Sequence, residues 1–319
     1  MGVSKEEVKI IMSNKISIVG RAGVGKTSII KLIFEGYDPK DLMMKPLEPT
    51  RGINPKGYYW MDLELGVFDT SGQELPYLLE DEQEQLIAFE NANIVIYIFD
   101  YPRWTSNSQE IINEIHTIYN SLKDISGKIK LALIFHKVDL INQKIKGNYF
   151  LMRNGIKNRI NLPENIPIYF TSLYPESVHS TFNAFSNILS NFSIESRKLR
   201  DILNHNISTF PRTISFITKK DNSVLVQSIG SEFNTSNIRN LYVLTAHYRN
   251  LTSSVDIFDG KIHYVDSGPQ VLSFVIENLQ EYNPNLNALM VFSEDHDSEE
   301  LSELTTKIKV DIKNIYVQH

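Results

Sequence analysis

The sequence predicts an α/β protein with a mainly parallel sheet, followed by a smaller α+β domain. From Lys15 to about Phe192, short apolar strands alternate with helices, as in βα units around a parallel sheet. The run Ile94–Phe99 is almost wholly apolar, which is typical of a strand covered on both faces. Beyond Phe192, hairpin-like pairs of strands replace this alternation. We therefore predict two domains, at 1–192 and 193–319.

Composition excludes several classes of protein. A chain of 319 residues is long enough for two cores, and 42% hydrophobic with 22% charged residues is ordinary for a soluble protein. The net charge of −6 argues against a nucleic-acid surface. The chain has no cysteine, so disulfides, thiolate metal sites and prenylation are excluded and a reducing cytoplasm is expected. No apolar run approaches the roughly 18 to 20 residues of a membrane span, so we expect no direct membrane insertion.

The elements of the first domain follow from apolar runs and from breaks in them. Strands are predicted at Lys15–Val19, Gly57–Trp60, Leu63–Phe68, Ile94–Asp100, Lys130–Phe135 and Ile168–Thr171. Helices are predicted at Lys26–Phe34, in a segment ending near Asn91, and at Ser108–Leu122, Tyr149–Asn158 and Val178–Leu189. The stretch Pro39–Pro55, with four prolines, is predicted to be a long loop. Pro102 and the polar run Thr105–Ser108 are predicted to break the chain after the fourth strand.

The second domain is predicted to contain one sheet and a few helices. Helical spacing of apolar residues marks Glu195–Ser208, Ser236–Tyr248 and Ser298–Lys307. Strands are predicted at Thr213–Thr218, Val224–Val226, Val255–Phe258, Lys261–Val265, Gln270–Ile276 and Leu286–Phe292. Asp259-Gly260 is a strong hairpin signal between two of them.

A phosphate-binding loop lies between the first predicted strand and the first predicted helix. The motif G-x-x-x-x-G-K-[ST] and the start of the helix are made by Gly20, Arg21, Ala22, Gly23, Val24, Gly25, Lys26, Thr27 and Ser28. The glycines allow successive N–H groups to converge on an anion, and the helix N-terminus adds its dipole. Lys26 is predicted to reach the terminal phosphates and Thr27 to hold Mg²⁺. The loop thus predicts a nucleoside triphosphate without specifying its base.

Two later segments complete a predicted site for the γ-phosphate and Mg²⁺. Thr50, in the proline-rich loop, can offer oxygen to both. Asp69 follows the third predicted strand and is expected to meet Mg²⁺, usually through water. Gly72 can bring its N–H to the γ-phosphate, and Gln73 is placed to orient an attacking water. Gln73, Lys26 and Thr50 are therefore the predicted catalytic residues.

Two further segments predict that the base is guanine. In His136-Lys137-Val138-Asp139, the carboxylate can accept two hydrogen bonds from a guanine edge, which adenine does not offer, and the Lys137 stem can lie over the base. Ser172 and Leu173 can bring a backbone N–H to the guanine oxygen. Most of these segments follow strands, where open α/β sheets bind ligands. Bound GTP or GDP with Mg²⁺ is the prediction.

The chain resembles the small-GTPase superfamily and, within it, the Rag/Gtr family. His136 stands where most small GTPases have asparagine, and the acidic segment Glu80–Gln85 is longer than in Ras-type switches. The order of elements after Phe192 is similar to a roadblock domain. The resemblance implies a Ras-like P-loop GTPase domain followed by a roadblock/longin-like domain. The segment Asp69–Gly72 is closer to the Ras or Arf pattern, as in a divergent relative.

The resemblance also implies partners and a role. It implies a homo- or heterodimer through the C-terminal domain, a roadblock/longin-domain scaffold and a GTPase-activating protein. The role would be a nucleotide-controlled platform in nutrient or membrane-linked signalling, cytoplasmic and recruited to a membrane by a partner. Ala22 replaces the glycine usual in Ras-type loops, and its Cβ would crowd Gln73 or an inserted arginine, so slow turnover is predicted.

Two other functions remain open from the sequence. One is a pseudo-GTPase scaffold that binds nucleotide and never switches. The other is an Arf- or MglA-like trafficking or polarity GTPase with an unrelated C-terminal domain, which would be monomeric through that domain. Arg51 is a candidate arginine finger, but its position after Thr50 favours a solvated loop arginine.

Overall fold

The first domain is built on a six-stranded sheet with the strand order β2-β3-β1-β4-β5-β6. The structure is a computed structural model that describes residues 14–44, 48, 50–60, 63–141, 149–174, 177–220, 224–233, 261–266 and 272–316. The strands are β1 (Asn14–Val19), β2 (Ile53–Trp60), β3 (Leu63–Thr70), β4 (Ala92–Asp100), β5 (Lys130–His136) and β6 (Ile168–Phe170). All neighbours are parallel except β2, which is antiparallel to β3. The predicted mainly parallel sheet is confirmed.

Helices cover both faces of this sheet. They are α1 (Lys26–Glu35), α2 (Pro39–Met44), α3 (Leu75–Glu80), α4 (Glu82–Phe89), α5 (Tyr101–Ile125), α6 (Tyr149–Ile160) and α7 (His179–Leu189). The prediction of a continuous loop at Pro39–Pro55 was wrong, because α2 and the start of β2 lie within it. The helix predicted to end near Asn91 is divided at Asp81, whose carboxylate accepts hydrogen bonds from the first turn of α4 and caps it.

The predicted break after β4 was wrong at Pro102, since α5 begins there, whereas the polar run Thr105–Ser108 does contain an interruption of the helix, at Asn107. Pro102 lies in the first turn of α5, where a missing N–H costs no helical hydrogen bond. Asp100 caps the helix by accepting a hydrogen bond from the Arg103 N–H at 3.1 Å. Asn107 has non-helical angles (φ −150°, ψ 61°), so the turn before it is set at a kink to the rest of α5.

The central strands are apolar because both of their faces are buried. Alternate residues of β4 enter two different cores. Ile94, Ile96 and Ile98 pack in the core with α1 and α7. Val95, Tyr97 and Phe99 pack in the core with α3, α4, α5 and α6. This is the physical origin of the apolar run in the sequence.

The second domain has one antiparallel sheet with the strand order β8-β7-β11-β10-β9. The strands are β7 (Thr213–Lys219), β8 (Val224–Ile229), β9 (Lys261–Asp266), β10 (Leu272–Asn278) and β11 (Leu286–Ser293). Two helices, α8 (Ile194–Ile207) and α9 (Ser298–Tyr316), accompany it. The α+β class is thus confirmed. The predictions at Ser236–Tyr248, Val255–Phe258 and Asp259-Gly260 lie outside the described residues.

The two sheets share a continuous apolar core. Phe185 and Ile188 of α7 belong to the same cluster as Leu203 of α8 and Val226 of β8. A hydrogen bond of 3.0 Å from the Gln227 side chain to the His179 carbonyl also joins β8 to α7. Across the described ranges, no helix is both long and apolar enough to cross a membrane.

Candidate functional site

The phosphate loop runs from the end of β1 to the start of α1. Gly25 has φ +100°, and a Cβ there would lie 2.9 Å from the ring of His136. Gly20 has φ +151°, and a Cβ there would lie 2.2 Å from the carbonyl oxygen of Ile98. The loop therefore rests on β4 and on the end of β5, with room for glycine alone at both points. Val24 is buried beneath it, and Ser28 lies in the first turn of α1.

Lys26 lies within the curve of the loop, with only 6% of its surface exposed. Its ammonium donates hydrogen bonds to the carbonyl oxygens of Gly20 at 2.8 Å and Arg21 at 3.2 Å. Burial lowers the pKa of Lys26 to about 8; nearby Asp69 partly opposes this change and Arg103 adds to it. A buried ammonium beside loop N–H groups is well suited to an anion, which would favour its charged form.

The side chain of Arg21 points away from the cradle and fastens the loop to α5. Its Nε donates to Glu114 at 2.5 Å, and its Nη2 donates to Glu110 at 2.7 Å. Tyr97 on β4 donates its hydroxyl proton to the same Glu114, which is buried. Arg21 can thus serve the site through its backbone. Glu114 was not predicted from the sequence, although a carboxylate at helical spacing within the isoleucines of α5 is a visible signal.

Three oxygen-bearing side chains from three elements meet at the open side of the loop. The Thr27 hydroxyl lies 2.7 Å from Asp69 Oδ2 and 3.0 Å from the Thr50 hydroxyl. Thr50 in turn lies 3.1 Å from the same carboxylate oxygen. Asp69 Oδ1 is buried and has no hydrogen-bond partner. The structure therefore brings together the three residues predicted to hold Mg²⁺ and leaves one buried carboxylate oxygen free.

The segment after β3 lies directly against the phosphate loop. A Cβ on Gly72 would lie 2.2 Å from the backbone nitrogen of Ala22. The Ser71 N–H donates to the Gly52 carbonyl at 2.7 Å, and the Gly52 N–H donates to Glu74 at 3.1 Å. These bonds join the segment after β3 to the chain that follows Thr50. Gln73, the predicted water-positioning residue, is exposed beside them, as is Arg51.

On the other side of the loop, β5 and β6 bring together the predicted base-binding residues. The Ser172 hydroxyl donates to Asp139 at 2.5 Å, and the Val138 N–H donates to the Thr171 carbonyl at 3.2 Å. These contacts hold the carboxylate beside the segment after β6, where Leu173 is half-buried. The loop with Asp139 and the loop with Ser172 thus form one wall.

His136 and Lys137 occupy positions that differ in kind. His136 is buried, and its Nδ1 lies 2.8 Å from the Thr171 hydroxyl. Burial lowers its pKa to about 4, so the ring is neutral at pH 7. Lys137 has φ 58°, and its ammonium donates to the Gly23 carbonyl at 2.6 Å and to Asp100 at 2.7 Å. The buried His136 ring packs against Gly25 of the phosphate loop, and Lys137 links the base-binding segment to the same loop at Gly23.

Comparison with known proteins gives a consistent result. The family model described as the Gtr1/RagA G protein conserved region matches residues 15–241. The chain is 24% identical over 176 residues to the Ras-related GTP-binding protein A of Dictyostelium discoideum, covering 54% of this chain and 56% of that protein. It is 26% identical over 179 residues to GTP-binding protein gtr1 of Schizosaccharomyces pombe, covering 54% and 55%.

A third relative, GTP-binding protein GTR1 of Saccharomyces cerevisiae, is 24% identical over 230 residues, which cover 65% of this chain and 69% of that protein. The chain thus spans about half the length of the first two relatives and two thirds of the third. The family match extends over both β1–β6 and the start of the second sheet. Together with the loop geometry described above, it shows that the chain belongs to the Gtr1/RagA G protein family.

Proposed function

We propose that this protein is a GTP-binding, slowly GTP-hydrolysing switch of the Rag/Gtr type. The observation that carries the proposal is the convergence of Thr27, Thr50 and Asp69 beside the buried Lys26 ammonium. Each of these residues comes from a different segment, so only the folded chain assembles them. The Lys26 ammonium can bind the negative phosphates, and the Asp69 carboxylate can bind Mg²⁺.

The residues fit Mg²⁺ by their chemistry. Hydroxyl and carboxylate oxygens are the ligands that Mg²⁺ takes, together with water and phosphate oxygens. Asp69 Oδ1 is buried without a partner, which is costly unless a cation or water satisfies it. The three residues supply one carboxylate and two hydroxyls, a small ligand set that suits a cation shared with phosphates and water. Bound there, Mg²⁺ would neutralise charge on the β- and γ-phosphates.

Guanine specificity is proposed to come from Asp139 and the segment after β6. The Ser172 hydroxyl fixes one oxygen of the Asp139 carboxylate at 2.5 Å, which holds the group in one orientation. A fixed carboxylate can accept the guanine N1–H and the exocyclic amine together. Lys137 is held by the Gly23 carbonyl and Asp100, so its stem is fixed alongside.

Hydrolysis would rest on position and charge. An attacking water forms a bond to the γ-phosphorus while the bond to the β–γ bridging oxygen breaks, and the electron pair of that bond stays on GDP. Lys26 would stabilise the charge on the phosphates, and Gln73 would orient the water. Ala22 lies against Gly72, the neighbour of Gln73, and its Cβ takes space that the glycine usual in Ras-type loops leaves open, which supports slow turnover.

The contacts around Gly52 support a switch that involves both segments. The Ser71 N–H and Glu74 bind the backbone of Gly52 and thereby join the Thr50 segment to the Gln73 segment. A γ-phosphate that bound Thr50 and Gly72 would stabilise the arrangement in which the two segments are joined. Loss of the γ-phosphate would allow the segments to separate. A scaffold that never switches is the second candidate, and Ala22 is the observation that favours it.

We also propose the domain roles implied by the resemblance. The G domain would span 1–192 and a roadblock-like dimerisation domain 193–319. Homo- or heterodimers would form through the second sheet, with a roadblock/longin-domain scaffold and a GTPase-activating protein as partners. With these roles the protein would be a cytoplasmic platform for nutrient or membrane-linked signalling. A partner would recruit it to membranes.

The test begins with the nucleotide that co-purifies with the protein. We expect guanine nucleotide, and single-turnover hydrolysis of added GTP that is Mg²⁺-dependent and lost in Gln73→Leu. Asp139→Asn is expected to prefer xanthine over guanine nucleotides, because the amide presents a donor where guanine also has one. If the protein binds guanine nucleotide but never hydrolyses GTP, the scaffold function is supported instead. If it carries adenine nucleotide, the proposal is refuted. Elution as a dimer on a sizing column separates this function from a monomeric trafficking GTPase.

A further inference from the structure

Arg103 lies on the first turn of α5, at the edge of the phosphate loop. Its backbone N–H is held by the Asp100 cap at 3.1 Å, and its guanidinium donates to the Ala22 carbonyl at 3.4 Å. The kink at Asn107 sets this turn apart from the rest of α5. The short first segment of α5 therefore sets the position of Arg103, whose side chain contacts the phosphate loop at Ala22. Ala22 is also the residue that lies against Gly72.

The guanidinium of Arg103 is not neutralised by an acidic neighbour. Among the described residues, no carboxylate forms an ion pair with it, because Asp100 is bonded to the Lys137 ammonium instead. Its charge also acts on Lys26, whose pKa it helps to lower. Both cations bind carbonyl oxygens of the same loop, Arg103 at Ala22 and Lys26 at Gly20 and Arg21, so an anion between them would relieve their mutual repulsion. The arrangement fits a phosphate group that both of them contact.

Of three other arginines, two are bonded elsewhere and one is exposed. Arg21 is bonded to Glu110 and Glu114, away from the cradle. Arg159 lies 5.1 Å from the centre of the Trp104 ring and donates to Ser108. Arg51, which the sequence offered as a candidate, is exposed. Of these arginines, Arg103 is the one whose side chain reaches the phosphate loop without a carboxylate partner.

We infer that Arg103 is an arginine supplied in cis to the γ-phosphate, where its guanidinium stabilises the charge that develops during GTP hydrolysis. This inference rests on the proposed function. In the step, water oxygen bonds to the γ-phosphorus, the bond to the bridging oxygen breaks, and the electron pair stays on GDP. The proton released by the water ends on inorganic phosphate. Arg103 would donate hydrogen bonds to the γ- and bridging oxygens as their charge grows.

The test is single-turnover hydrolysis by the full chain loaded with GTP and Mg²⁺. Arg103→Ala is expected to lower the rate constant by about 100-fold, as expected for one lost donor to the transition state. The affinity for GDP, measured with a fluorescent GDP analogue, is expected to change by less than about threefold, because the contact forms at the γ-phosphate. Arg103→Lys keeps the charge but not the planar fork, so a smaller loss is expected.

Arg159→Ala is the matched control. It removes an arginine that packs on Trp104, the neighbour of Arg103, without touching the phosphate loop. We expect its rate to equal that of the wild type. If Arg159→Ala slowed hydrolysis as much as Arg103→Ala, the effect would come from packing of the α5 turn and the inference would fail.

A second readout uses GDP with aluminium fluoride, which mimics the transferring phosphoryl group. The wild type is expected to retain aluminium fluoride without an activating protein, and Arg103→Ala to lose it while still binding GDP. Retention by Arg103→Ala, or hydrolysis within threefold of the wild type, overturns the inference and leaves the proposed function intact. Wild-type protein that binds no guanine nucleotide, or never hydrolyses it, refutes the proposed function itself.

Discussion

At the residue scale, a few atoms decide the shape of the site. Gly72 has no Cβ, and this allows the segment after β3 to lie against the Ala22 nitrogen. Asp69 keeps one oxygen bonded to Thr27 and the other free. His136 fills the space under Gly25 as a neutral ring. A Cβ added to Gly72 or Gly25 would clash with the neighbouring residue, and a proton added to His136 would place a buried charge under the loop.

Gly72→Ala is expected to move the Gln73 segment away from the loop. The added Cβ would lie 2.2 Å from the Ala22 backbone nitrogen, a contact that only a backbone shift relieves. We expect single-turnover GTP hydrolysis to fall by more than about tenfold, because a small displacement of a positioning residue costs that much. GDP affinity should change little. Gly127→Ala is the control, since a Cβ there meets no atom within 4 Å.

Stability is expected to fall as the pH drops below about 6.5. Burial lowers the pKa of His136 and of His179 to about 4, below the unfolded value of about 6.5. Between these values the unfolded chain binds protons that the folded chain does not, so each residue lowers the unfolding free energy by up to about 1.4 kcal/mol per pH unit. Urea unfolding at pH 7.5, 6.5 and 5.5 measures this slope.

The matched variant for the pH dependence is His179→Leu. His179 is buried and its Nδ1 has no hydrogen-bond partner, so leucine removes the titrating ring without breaking a bond of that atom. The slope between pH 6.5 and 5.5 should become shallower in His179→Leu than in the wild type. An identical slope in His179→Leu would show that folding does not lower the pKa of His179.

At the scale of elements, α5 holds the phosphate loop in place. Glu114 lies on the buried face of α5 and binds both Arg21 of the loop and Tyr97 of β4. The first turn of the same helix carries Arg103, and its cap Asp100 binds Lys137. One helix thus touches the loop, the central strand and the base-binding segment, so its position sets the geometry of all three.

Glu114→Ala is expected to destabilise the fold by about 3 kcal/mol, because it leaves the buried Tyr97 hydroxyl without its partner and the Arg21 guanidinium with Glu110 alone. The loosened loop should also release a fluorescent GDP analogue faster. Urea unfolding and stopped-flow release measure the two effects. Lys56→Met, which breaks the half-exposed ion pair with Glu35, serves as the control and should cost less than about 1 kcal/mol. Equal costs for both variants would contradict the anchoring role of Glu114.

At the scale of the whole molecule, the two sheets share one core through α7 and α8. Apolar side chains of both helices pack with Val226 and Leu225 of β8 in a single cluster. Arg200 of α8 also donates to the Asn187 side chain of α7 at 3.3 Å. The predicted boundary near residue 192 is therefore crossed by buried packing of α7 with α8 and β8.

We expect the chain to unfold in one cooperative calorimetric transition. A fragment of residues 1–192 would expose the face of α7 that β8 covers, including its contact between His179 and Gln227. Its melting temperature should be lower by several degrees, and it should aggregate more readily. Gln227→Ala in the full chain isolates the hydrogen bond alone and should cost only about 1 kcal/mol. Two separate transitions, or a fragment as stable as the full chain, would contradict a shared core.

The sequence by itself determined the phosphate loop, the fold classes and most elements. The loop motif and the apolar strands are local patterns, and local patterns are what sequence spacing records. The boundaries were wrong at α2 and at Pro102, because a first-turn proline is compatible with a helix that composition alone reads as a break. At Asp81 the error is the opposite one, because its capping carboxylate divides a helix that composition reads as continuous.

Only the tertiary structure decided which side chains act together. The pairing of Arg21 with Glu114 and the approach of Arg103 to Ala22 join residues 93 and 81 positions apart in the chain. Such contacts depend on how strands order themselves in the sheet and how α5 packs on it, which no local spacing encodes. For the same reason the sequence offered no indication of Arg103, which the fold directs toward the phosphate loop, whereas Arg51, predicted to be a solvated loop arginine, is exposed.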